Sequence, residues 1–406
     1  MNIGTQEKDI LRVRNFFKEK FGYTPTHVVQ APGRLELLGN HTDYNQGLVL
    51  SLAVDKYVFI ASSPRSDGCI ELASTAFAAT ERFSISELKN NPASPWSDYV
   101  KGVLEQLRKH GVHFGGFNAA IHGTIPMGAG MSSSAALEVA AALTVRQLFP
   151  FTVTEAGSTV PPKRGPKGRL RELRLYEKLN LARLCQRAEN QFVGVQSGIL
   201  DQISSLFGKQ FHALEIDCQQ LSVDPVPMLG EIAILICDSG VKHALVGGEY
   251  NELRQTCESA AKKIGVKALR AVDSKMLAEN KSKLTDREYQ CAYHVVGEIQ
   301  RVIFGANALR QDDFAQFGQY MFQSHESSRD YFGNSTRELD LLVEIARQHP
   351  ATLGARLTGG GFGGATINLI KRHAIEHFSK FMSAEYKLKS GHEMKPLFCQ
   401  IVDGAD

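Results

Sequence analysis

The sequence lacks the patterns that mark membrane-spanning, secreted and zinc-binding proteins. No run of about 18 apolar residues occurs in it, so we expect no membrane span. The N-terminal segment carries acidic residues early and has no apolar core of roughly 7–15 residues, so it does not fit a secretory signal. The seven cysteines are scattered and form no CxxC pair, which argues against a zinc site or a disulfide framework. We therefore expect a protein of a reducing compartment, the cytoplasm.

An excess of charge of one sign is also missing. Lysine and arginine number 46, and aspartate and glutamate number 43, which gives a formal net charge of +3. This near balance gives no reason to expect nucleic acid or an acidic membrane surface as a partner. Basic residues cluster in PPKRGPKGRLRELR, residues 161–174, which we interpret as a solvated loop that runs into a helix rather than as a binding patch. The chain of 406 residues is long enough for more than one domain.

Familiar nucleotide-binding motifs are absent. The Walker A pattern GxxxxGK[ST] does not occur, and neither do the VAIK, HRD and DFG motifs of protein kinases. One segment, residues 357–370, fits GxGxxG formally, but its end reads as a strand, whereas a dinucleotide site needs a helix there. We interpret this segment as a flexible turn between strands that can lie against a ligand. Its glycines are Gly359, Gly360, Gly361, Gly363 and Gly364.

Hydrophobic periodicity predicts strands and helices that are interspersed along the whole chain. The predicted strands span residues 26–30, 48–54, 56–62, 116–122, 231–238, 365–370 and 397–402. The predicted helices span residues 6–21, 96–110, 132–148, 175–192, 248–263, 286–306, 312–325, 338–348 and 372–386. Residues 152–170 are rich in proline, glycine, threonine and lysine and are predicted to form an exposed loop. We infer an α+β protein of two domains, residues 1–215 and 216–406.

One glycine-rich segment, PMGAGMSSSAAL at residues 126–137, has the properties of an anion site. Gly128 and Gly130 permit tight backbone geometry, and three serines, residues 132–134, then open a helix. The first N–H groups of a helix have no internal partner and the helix dipole favours negative charge there, so this end can hold phosphate. An ordinary capped helix after a glycine turn explains the local pattern equally well.

A second segment, APGRLELLGNHTDYNQGLVL at residues 31–50, concentrates hydrogen-bonding side chains between two strand-like runs. Those side chains are Arg34, Glu36, Asn40, His41, Asp43, Tyr44 and Asn45. Polar loops of this kind commonly bind polar ligands. A sugar needs both donors and acceptors and fits such a loop, whereas a solvated turn is the alternative.

Two acidic residues, Glu189 and Asp201, lie in the segment AENQFVGVQSGILDQISS at residues 188–205. Phosphoryl transfer needs Mg²⁺, which prefers one or two carboxylates together with phosphate oxygens. It also benefits from a carboxylate near the nucleophilic hydroxyl. The two acids can divide those roles, although each acid alone is more often a surface or capping residue.

Taken together, these segments resemble the galactokinases, a group within the GHMP family of small-molecule kinases. Three motifs of that family occur in order: GRLELLGNHTDYNQG, PMGAGMSSSAALEVA and GARLTGGGFGGATINLI. Further similar stretches are WSDYVKGVL, CQRAENQFVGVQSGILDQ, DSGVKHALVGGEYNELR and SHESSRDYFGNSTRELDLLVEIA. The resemblance implies two α+β domains with the active site in the cleft between them. It also implies an ATP-dependent sugar 1-kinase that converts galactose into galactose 1-phosphate.

The resemblance further implies roles for individual residues. Asp201 is the acid beside the anomeric hydroxyl, and Arg34 stabilises that carboxylate and the charge that develops during transfer. Glu189, with Ser133 or Ser134, helps to bind Mg²⁺, the cofactor that accompanies the co-substrate ATP. The implied sugar pocket consists of Asn40, His41, Asp43, Gly198 and Tyr250. The implied ATP site consists of Trp96, Gly128, Ala129, Gly130, Met131, Ser132, Ser133 and Ser134.

The sequence departs from the family pattern at three places. The family usually has Asn where this chain has Glu36. It usually has Glu, the implied contact to the C6 hydroxyl of the sugar, where this chain has Asn40. Residues 331–336 read YFGNST where the family usually reads like YEVSCP. A C6-altered galactose such as galacturonate is therefore an alternative substrate.

The same residues bear on two further alternatives. A non-catalytic galactose sensor would be favoured by loss of Asp201, Arg34 or the SSA run at 133–135, all of which are present. Another substrate of GHMP kinases, such as mevalonate or homoserine, is disfavoured by the HTDYN loop and Tyr250. We expect a monomer whose partners are a small-molecule sugar and ATP.

Overall fold

The computed structural model describes residues 3–154, 159–160, 170–242 and 246–405. The helices are α1 (Ile3–Phe21), α2 (Pro95–Lys109), α3 (Ser133–Leu148), α4 (Leu175–Arg187), α5 (Leu200–Phe207), α6 (Val246–Ile264), α7 (Ser274–Glu279), α8 (Asp286–Arg310), α9 (Phe314–Ser327), α10 (Arg337–Gln348) and α11 (Ile375–Ser390). The strands are β1 (His27–Leu38), β2 (Leu48–Pro64), β3 (Cys69–Ser74), β4 (Ala79–Ser84), β5 (Phe117–Gly123), β6 (Thr152–Val153), β7 (Thr159–Val160), β8 (His212–Asp217), β9 (Ser222–Pro227), β10 (Ile232–Lys242), β11 (Thr352–Leu357), β12 (Gly363–Lys371) and β13 (Lys395–Cys399). Turns of 3-10 helix lie at Leu269–Ala271, Lys281–Lys283 and Arg372–Ala374, and π-helical turns lie at Ala188–Val193 and Ser328–Phe332.

A seven-stranded sheet is the framework of the first half of the chain. Its long strand β2 pairs with β1 over most of its length, from His27 opposite Ser62 to Leu38 opposite Leu50. Strands β5 and β8 pair with different ends of β2, and the path runs β4-β3-β5-β2-β8-β9. Helices α3 and α5 pack against β1 and β2, and their apolar side chains join those of the sheet in the main core. This packing places the starts of α3 and α5 beside β1.

A four-stranded antiparallel sheet, in the order β11-β12-β10-β13, is the framework of the second half. Helices α9 and α10 pack against β11, and α10 and α11 pack against β10. Helix α8 contacts α6 and α9 and also reaches β1, β2 and β9, so it connects the two halves. Within the described ranges, no helix combines the length and the apolar character of a membrane span.

Three helices match the sequence prediction closely. The predicted helices 96–110, 132–148 and 338–348 are α2, α3 and α10, each displaced by no more than one residue at either end. In α10, apolar side chains recur on one face and are buried, whereas the opposite face is charged and exposed. Amphipathic helices carry this strong signal because one continuous stripe of the helix faces the core.

The polar segment at 31–50 differs from the predicted loop. Strand β1 continues through Arg34 and Glu36 to Leu38, so both side chains are carried by a strand. The prediction ended the strand too early because Pro32 and Gly33 interrupt the strand-like run, and the pairing of β1 with β2 shifts register at this point. The predicted strands 48–54 and 56–62 are the single strand β2. The prediction also missed β3, β4, β8, β9, β11, α5 and α7.

Three boundaries also differ or are left open. The predicted helix 175–192 ends as α4 at Arg187 and continues as the π-helical turn. The predicted exposed loop 152–170 lies largely outside the described residues, although the short strands β6 and β7 pair within it. The predicted division at 215/216 falls inside β8, and the first sheet extends to β9 before β10 enters the second.

Candidate active site

An ion pair between Arg34 and Asp201 lies at the centre of the candidate site. Arg34 belongs to β1, and Asp201 lies in the first turn of α5. The Arg34 Nε atom is 2.7 Å from Asp201 Oδ1, and Arg34 Nη1 donates to the carbonyl oxygen of Gly130. The hydroxyl of Ser132 donates to the other carboxylate oxygen, Asp201 Oδ2. The carboxylate is therefore held in one orientation by two neighbours.

The guanidinium of Arg34 is buried, with only 7% of its side chain exposed. Burial alone would lower its pKa, because it disfavours the charged form. The nearby carboxylates of Asp201 and Glu36 outweigh burial and raise the pKa of Arg34 above its ordinary value. A fixed positive charge therefore lies beside the acid.

The start of α3 provides hydrogen-bond donors next to this pair. The helix begins at Ser133, and no side chain caps the N–H groups of its first turn. Ser132 has a left-handed backbone with a φ of 52°, which bends the chain into the helix. A Cβ atom at Gly130 would lie 2.6 Å from the carbonyl oxygen of Thr358, so glycine is needed where this loop meets the end of β11. Uncapped N–H groups and the helix dipole together form an anion site.

A buried carboxylate, Glu189, lines the same cavity from the π-helical turn after α4. Its Oε2 atom accepts hydrogen bonds from the hydroxyl of Ser197 and from Gln202 Nε2. The same amide of Gln202 donates to Glu138 Oε2 at 2.9 Å. Burial raises the pKa of Glu189, and the charge of Asp201 adds to the rise, although the hydrogen bond from Ser197 opposes it.

These residues fit a magnesium ion that is bound together with phosphate. Mg²⁺ takes one or two carboxylates and completes its coordination with phosphate oxygens and water. Glu189, Ser133 and Ser134 line one cavity and supply one carboxylate and two hydroxyls. Across the described ranges, no group of three or more His, Cys, Asp and Glu side chains could hold a metal ion by itself.

The polar loop after β1 is anchored by a buried carboxylate from α8. Glu298 accepts hydrogen bonds from the backbone N–H groups of Gly39 and Asn40 at 3.0 and 2.9 Å. Arg301 and Ser324 also donate to it. Burial alone would raise the pKa of Glu298, but the charge of Arg301, together with other nearby charges and the Asn40 N–H hydrogen bond, outweighs burial and lowers it to about 2. The loop therefore rests on an ionised carboxylate.

His41 is fixed in this loop as a neutral imidazole. Its Nε2 atom lies 3.1 Å from the carbonyl oxygen of Gly360, and its Nδ1 atom lies 2.8 Å from the hydroxyl of Tyr44. A carbonyl oxygen only accepts, so Nε2 carries the proton and Nδ1 accepts from Tyr44. The ring also contacts the rings of Tyr250 and Phe332. Burial lowers the pKa of His41 to about 4.

Asp43 brings a further acid into the cavity. Its Oδ1 atom accepts from the backbone N–H of Tyr44 at 2.9 Å. Burial, and next the charge of Asp201, raise the pKa of Asp43 to about 7. A Cβ atom at Gly198 would lie 1.7 Å from Asp43 Oδ2. The absence of a side chain at Gly198 therefore gives Asp43 the space that it occupies.

Asn40 and Glu36 form one buried cluster with residues from the second half of the chain. The Nη1 atom of Arg356, a fully buried residue, lies 3.0 Å from Glu36 Oε1. The Nδ2 atom of Asn40 donates to the same oxygen at 3.1 Å and to the carbonyl oxygen of Gly359 at 2.9 Å. Asn334 donates to Asn40 Oδ1 at 2.9 Å. The predicted contact of Asn40 with a sugar stays a prediction.

Two cavities meet at Ser133 and Ser134. The first has a volume of about 430 Å³, and its lining includes Arg34, Glu36, Asn40, His41, Asp43, Gly128, Gly130, Met131, Ser132, Ser133, Ser134, Glu189, Gly198, Asp201, Tyr250, Gly359 and Gly360. The second has a volume of about 600 Å³ and is lined mainly by apolar side chains, among them Phe77 and Trp96. The rings of Phe77 and Trp96 stack with centroids 5.8 Å apart, and no described residue hydrogen-bonds to the buried Trp96 Nε1 atom.

Most of the predicted site residues are thus brought together, with four exceptions. Ala129 is buried and lines neither cavity. Gly361, Gly363 and Gly364 of the predicted turn also line neither cavity. Gly361 packs instead against the backbone of Asn334, and Gly364 packs against the carbonyl oxygen of Gly128. The turn therefore contacts the cavity only through Gly359 and Gly360.

Sequence reasoning missed most of the residues that hold the site in place. They are Glu138, Ser197, Gln202, Glu298, Asn334 and Arg356. The departure from the family pattern at 331–336 was the one signal, since it contains Asn334. The other residues carry no local pattern, because their contacts form only when distant segments fold together.

Comparison with known proteins decides the family. The galactokinase galactose-binding signature matches residues 15–64, the GHMP kinases N terminal domain matches 98–160, and the GHMP kinases C terminal domain matches 306–388. The chain is 37% identical to galactokinase of Chloroflexus aggregans over 388 residues, which cover 94% of each chain. It is 38% identical to galactokinase of Homo sapiens over 93% of this chain and 92% of that one. The chain belongs to the galactokinase family.

Solved structures agree with this galactokinase membership. Lactococcus lactis galactokinase, solved in complex with galactose, superposes with a TM-score of 0.88 at 29% identity and covers 98% of this chain and 99% of its own. A mevalonate kinase superposes with a TM-score of 0.60 at 19% identity, which shows the shared fold alone. The GHMP kinase fold of α+β class that the sequence implied is confirmed.

Proposed function

We propose that this member of the galactokinase family transfers the γ-phosphoryl group of ATP to the anomeric hydroxyl of galactose, which yields galactose 1-phosphate and ADP. The observation that carries the proposal is the Arg34–Asp201 ion pair, which lies where a polar cavity reaches the uncapped start of α3. Similarity to galactokinases over nearly the whole chain supports galactose as the acceptor. A cytoplasmic location and a monomeric state stay predictions.

In this proposal the acceptor hydroxyl of the sugar lies beside the carboxylate of Asp201, and the Arg34–Asp201 ion pair supports this placement. Asp201 orients this hydroxyl and takes its proton as the sugar oxygen bonds to the γ-phosphorus and the bond from that phosphorus to ADP breaks. Arg34 and Ser132 fix the carboxylate, so little freedom is lost when the sugar binds. The two substrates approach each other at Ser133 and Ser134, where the two cavities meet.

Charge stabilisation contributes more than proton removal in this type of reaction. The transition state of phosphoryl transfer is loose, and its negative charge lies on the phosphoryl oxygens. Arg34 supplies a fixed positive charge, and the first turn of α3 supplies uncapped N–H donors. Such groups are already in place before reaction, so they stabilise the developing charge without reorganisation.

Glu189, with Ser133 and Ser134, is the set of residues that we expect to hold Mg²⁺. The ion, when bound, offsets the negative charge of the phosphates. Ser197 and Gln202 fix the Glu189 carboxylate through its Oε2 atom. Because burial raises the pKa of Glu189, a neighbouring cation favours its ionised form.

The second cavity suits the adenine of ATP. Phe77 and Trp96 present stacked aromatic rings in a cavity that reaches Ser133 and Ser134, which also line the first. The Trp96 Nε1 atom is buried without a partner, so it offers a hydrogen bond to a polar atom of a bound ring. Aromatic stacking with one or two directed hydrogen bonds is a common way to bind a flat heterocycle.

The alternatives are less well supported by the same residues. Galacturonate was considered because Asn40 removes an acid that would repel a carboxylate. However, Glu36 lines the same cavity, as does Asp43, so a uronate still meets negative charge there. A non-catalytic sensor is disfavoured because Arg34 and Asp201 form the ion pair that transfer requires.

Sugar-dependent ADP release tests the proposal directly. We expect ATP turnover with galactose, and at most weak turnover with galacturonate, glucose, mevalonate and homoserine. A preparation that is folded and binds galactose but releases no ADP would support the sensor. A preference for galacturonate over galactose would overturn galactose as the substrate.

A further inference from the structure

Glu36 lies beside the reacting centre on the same strand. Positions 34 and 36 of β1 share one face of the sheet, because side chains alternate along a strand, and their Cα atoms are about 6.6 Å apart by the rise of a strand. Both residues line the 430 Å³ cavity. Glu36 therefore projects into the cavity one step along the strand from the arginine that holds Asp201.

In the part of the chain that the structure describes, side chains hydrogen-bond to one oxygen of Glu36 and leave the other free. Arg356 Nη1 and Asn40 Nδ2 both hydrogen-bond to Oε1, at 3.0 and 3.1 Å. No described residue hydrogen-bonds to Oε2, and the side chain keeps 5% of its surface exposed while it lines the cavity. The second oxygen is therefore an unused acceptor.

The pairing with Arg356 is not the geometry of a purely structural ion pair. A guanidinium and a carboxylate bind most strongly through two parallel hydrogen bonds. Here Arg356 uses Nη1 alone on the carboxylate, and its buried Nε and Nη2 atoms have no hydrogen-bond partner among the described residues. The carboxylate is turned so that one oxygen is held and the other remains available.

Asn40, by contrast, has no group left for a ligand. Its Nδ2 atom donates to Glu36 Oε1 and to the carbonyl oxygen of Gly359, and a carbonyl oxygen can only accept. Its Oδ1 atom accepts from Asn334 and from the hydroxyl of Ser328. These contacts fix the orientation of the amide and fill all four of its hydrogen-bonding positions.

We propose that Glu36 is the carboxylate that recognises the sugar, through a hydrogen bond from one non-anomeric hydroxyl to Oε2, and that Asn40 and Arg356 are positioning residues that hold Oε1. Relative to the family pattern, the acid now stands at position 36 and the amide at position 40. Asn334, another departure from that pattern, donates a hydrogen bond to the Asn40 amide and fixes its orientation. This inference rests on the proposed function, because it needs a sugar in the first cavity.

The test combines substitutions at position 36 with sugars that each lack one hydroxyl. We would measure kcat/KM for galactose and for its 2-, 3-, 4- and 6-deoxy derivatives on wild type and Glu36→Gln. A hydrogen bond to a charged acceptor predicts that Glu36→Gln loses roughly 10- to 100-fold on galactose. It predicts no loss on the one deoxy sugar that lacks the partner hydroxyl. A purely structural role would lower activity equally on every sugar.

A second variant keeps the test decisive if Glu36→Gln does not fold with Arg356 left unpaired. Glu36→Asp retains the negative charge beside Arg356 but withdraws the carboxylate from the sugar by one methylene group. The loss of kcat/KM in Glu36→Asp should again be absent with the deoxy sugar on which Glu36→Gln shows no loss. Ser328→Ala is the matched control, because it removes one contact of Asn40 without touching the cavity, and its effect should be equal on all five sugars.

The outcomes separate this inference from the proposed function. Absence of activity on galactose and all its derivatives in wild type would contradict the proposed function. Wild-type activity on galactose, with equal losses on all five sugars for both Glu36 variants, would overturn the role of Glu36 alone. A loss of kcat/KM that is absent with one deoxy sugar supports the proposed role of Glu36 and identifies the hydroxyl that it binds.

Discussion

Asp201 is fixed by two neighbours, so a conservative change there alters chemistry more than architecture. Asp201→Asn retains the shape and an acceptor for Arg34 but cannot take a proton. We expect kcat to fall roughly 10²- to 10⁴-fold, which is the usual contribution of a positioned acid or base. The exposed Asp224 on β9 provides the control, since Asp224→Asn should leave kcat unchanged. Turnover of the folded Asp201→Asn variant within tenfold of wild type would contradict the assigned role.

The raised pKa of Asp43 predicts that kcat/KM for galactose depends on pH. Burial and the charge of Asp201 raise its pKa to about 7 in the free protein, so it is largely protonated at pH 6 and largely ionised at pH 8. The ionised form accepts stronger hydrogen bonds from sugar hydroxyls. We therefore expect kcat/KM for galactose to rise with pH, with its midpoint near pH 7, and to level off toward pH 8.

The variant Asp43→Asn isolates this effect from other titrating groups. It should lower the plateau of kcat/KM and remove the bend near pH 7, because the amide does not titrate. Profiles between pH 5.5 and 8.5 on both proteins provide the measurement. A wild-type profile that is flat across this range, or a bend that persists in Asp43→Asn, would show that Asp43 is not responsible.

Single residues could be predicted from the sequence where they belong to a recognisable motif. Arg34 and Asp201 follow from the motifs that contain them, and the structure brings them together as an ion pair. Arg356 and Glu298 escaped prediction, because a buried ion pair or anchor depends on distant segments that meet only in the fold. The sequence shows Glu36 only as a departure from the family pattern. That its Oε2 atom is free to accept a hydrogen bond follows from its contacts in the structure.

The segment between the π-helical turn and α5 has to come close to the polar loop after β1. Gly198 makes this approach possible, since a Cβ atom would overlap Asp43 Oδ2 at 1.7 Å. We expect Gly198→Ala to displace Asp43 and to lower kcat/KM for galactose roughly 10- to 100-fold, in line with a typical overpacking cost of 1–3 kcal/mol. The change should appear mainly in KM for the sugar and not in KM for ATP.

Gly248 on α6 is the matched control for this substitution. A Cβ atom there meets open space, and alanine favours a helix over glycine. Gly248→Ala should therefore retain wild-type kinetics and unfold at the same or a slightly higher temperature. Equal kinetics for Gly198→Ala and Gly248→Ala would contradict the close approach of Gly198 to Asp43.

Helices and strands were easier to predict where the pattern of residues along the sequence is regular. Helices α2 and α10 were found almost to the residue because an apolar stripe marks them, and α3 was found because serines open it and good helix formers follow. The end of β1 was missed because Pro32 and Gly33, where the pairing register shifts, look like the end of a strand in the sequence. The π-helical turn that carries Glu189 was read as plain helix, since a local change in winding leaves the spacing of apolar residues nearly intact.

At the scale of the whole molecule, α8 contacts the first sheet as well as α6 and α9 of the second half, and it carries a buried histidine. His294 Nδ1 lies 2.9 Å from the hydroxyl of Ser327, and Nε2 lies 3.2 Å from the carbonyl oxygen of Asn40. Burial lowers its pKa from 6.5 to about 3. Between these values the unfolded chain binds the proton and the folded protein does not. Stability is therefore lost as pH falls below about 6.5, by about 1.4 kcal/mol per pH unit for this group.

We expect His294→Asn to reduce this loss of stability in acid. The variant should be less stable than wild type at pH 7.5, because it loses contacts, but its free energy of unfolding should fall less steeply between pH 6.5 and 4.5. Urea unfolding at several pH values gives both slopes. The exposed His392 is the control, and His392→Asn should keep the wild-type slope. Identical slopes for wild type and His294→Asn would show that His294 does not carry this effect.

At the scale of the whole chain, the three motifs in their family order predicted the fold, but no sequence pattern predicted how the two halves pack together. The GHMP kinase fold followed from three motifs, and the family matches and the superposed structures confirm it. The predicted division at 215/216 fell inside β8, because no change in composition marks the passage from the first sheet to the second. Helix α8 lies in the second half of the sequence yet packs on the first sheet, a contact that no local pattern encodes.

The transfer of phosphate to the anomeric oxygen is tested most directly by identifying the product. Wild type would be incubated with ATP, Mg²⁺ and galactose labelled with ¹³C at carbon 1, and the product followed by ³¹P and ¹³C NMR. The predicted result is one phosphate per released ADP, with the phosphorus coupled to the labelled carbon. A phosphate on another carbon of the sugar, or ADP release without a phosphorylated sugar, would contradict the proposed reaction.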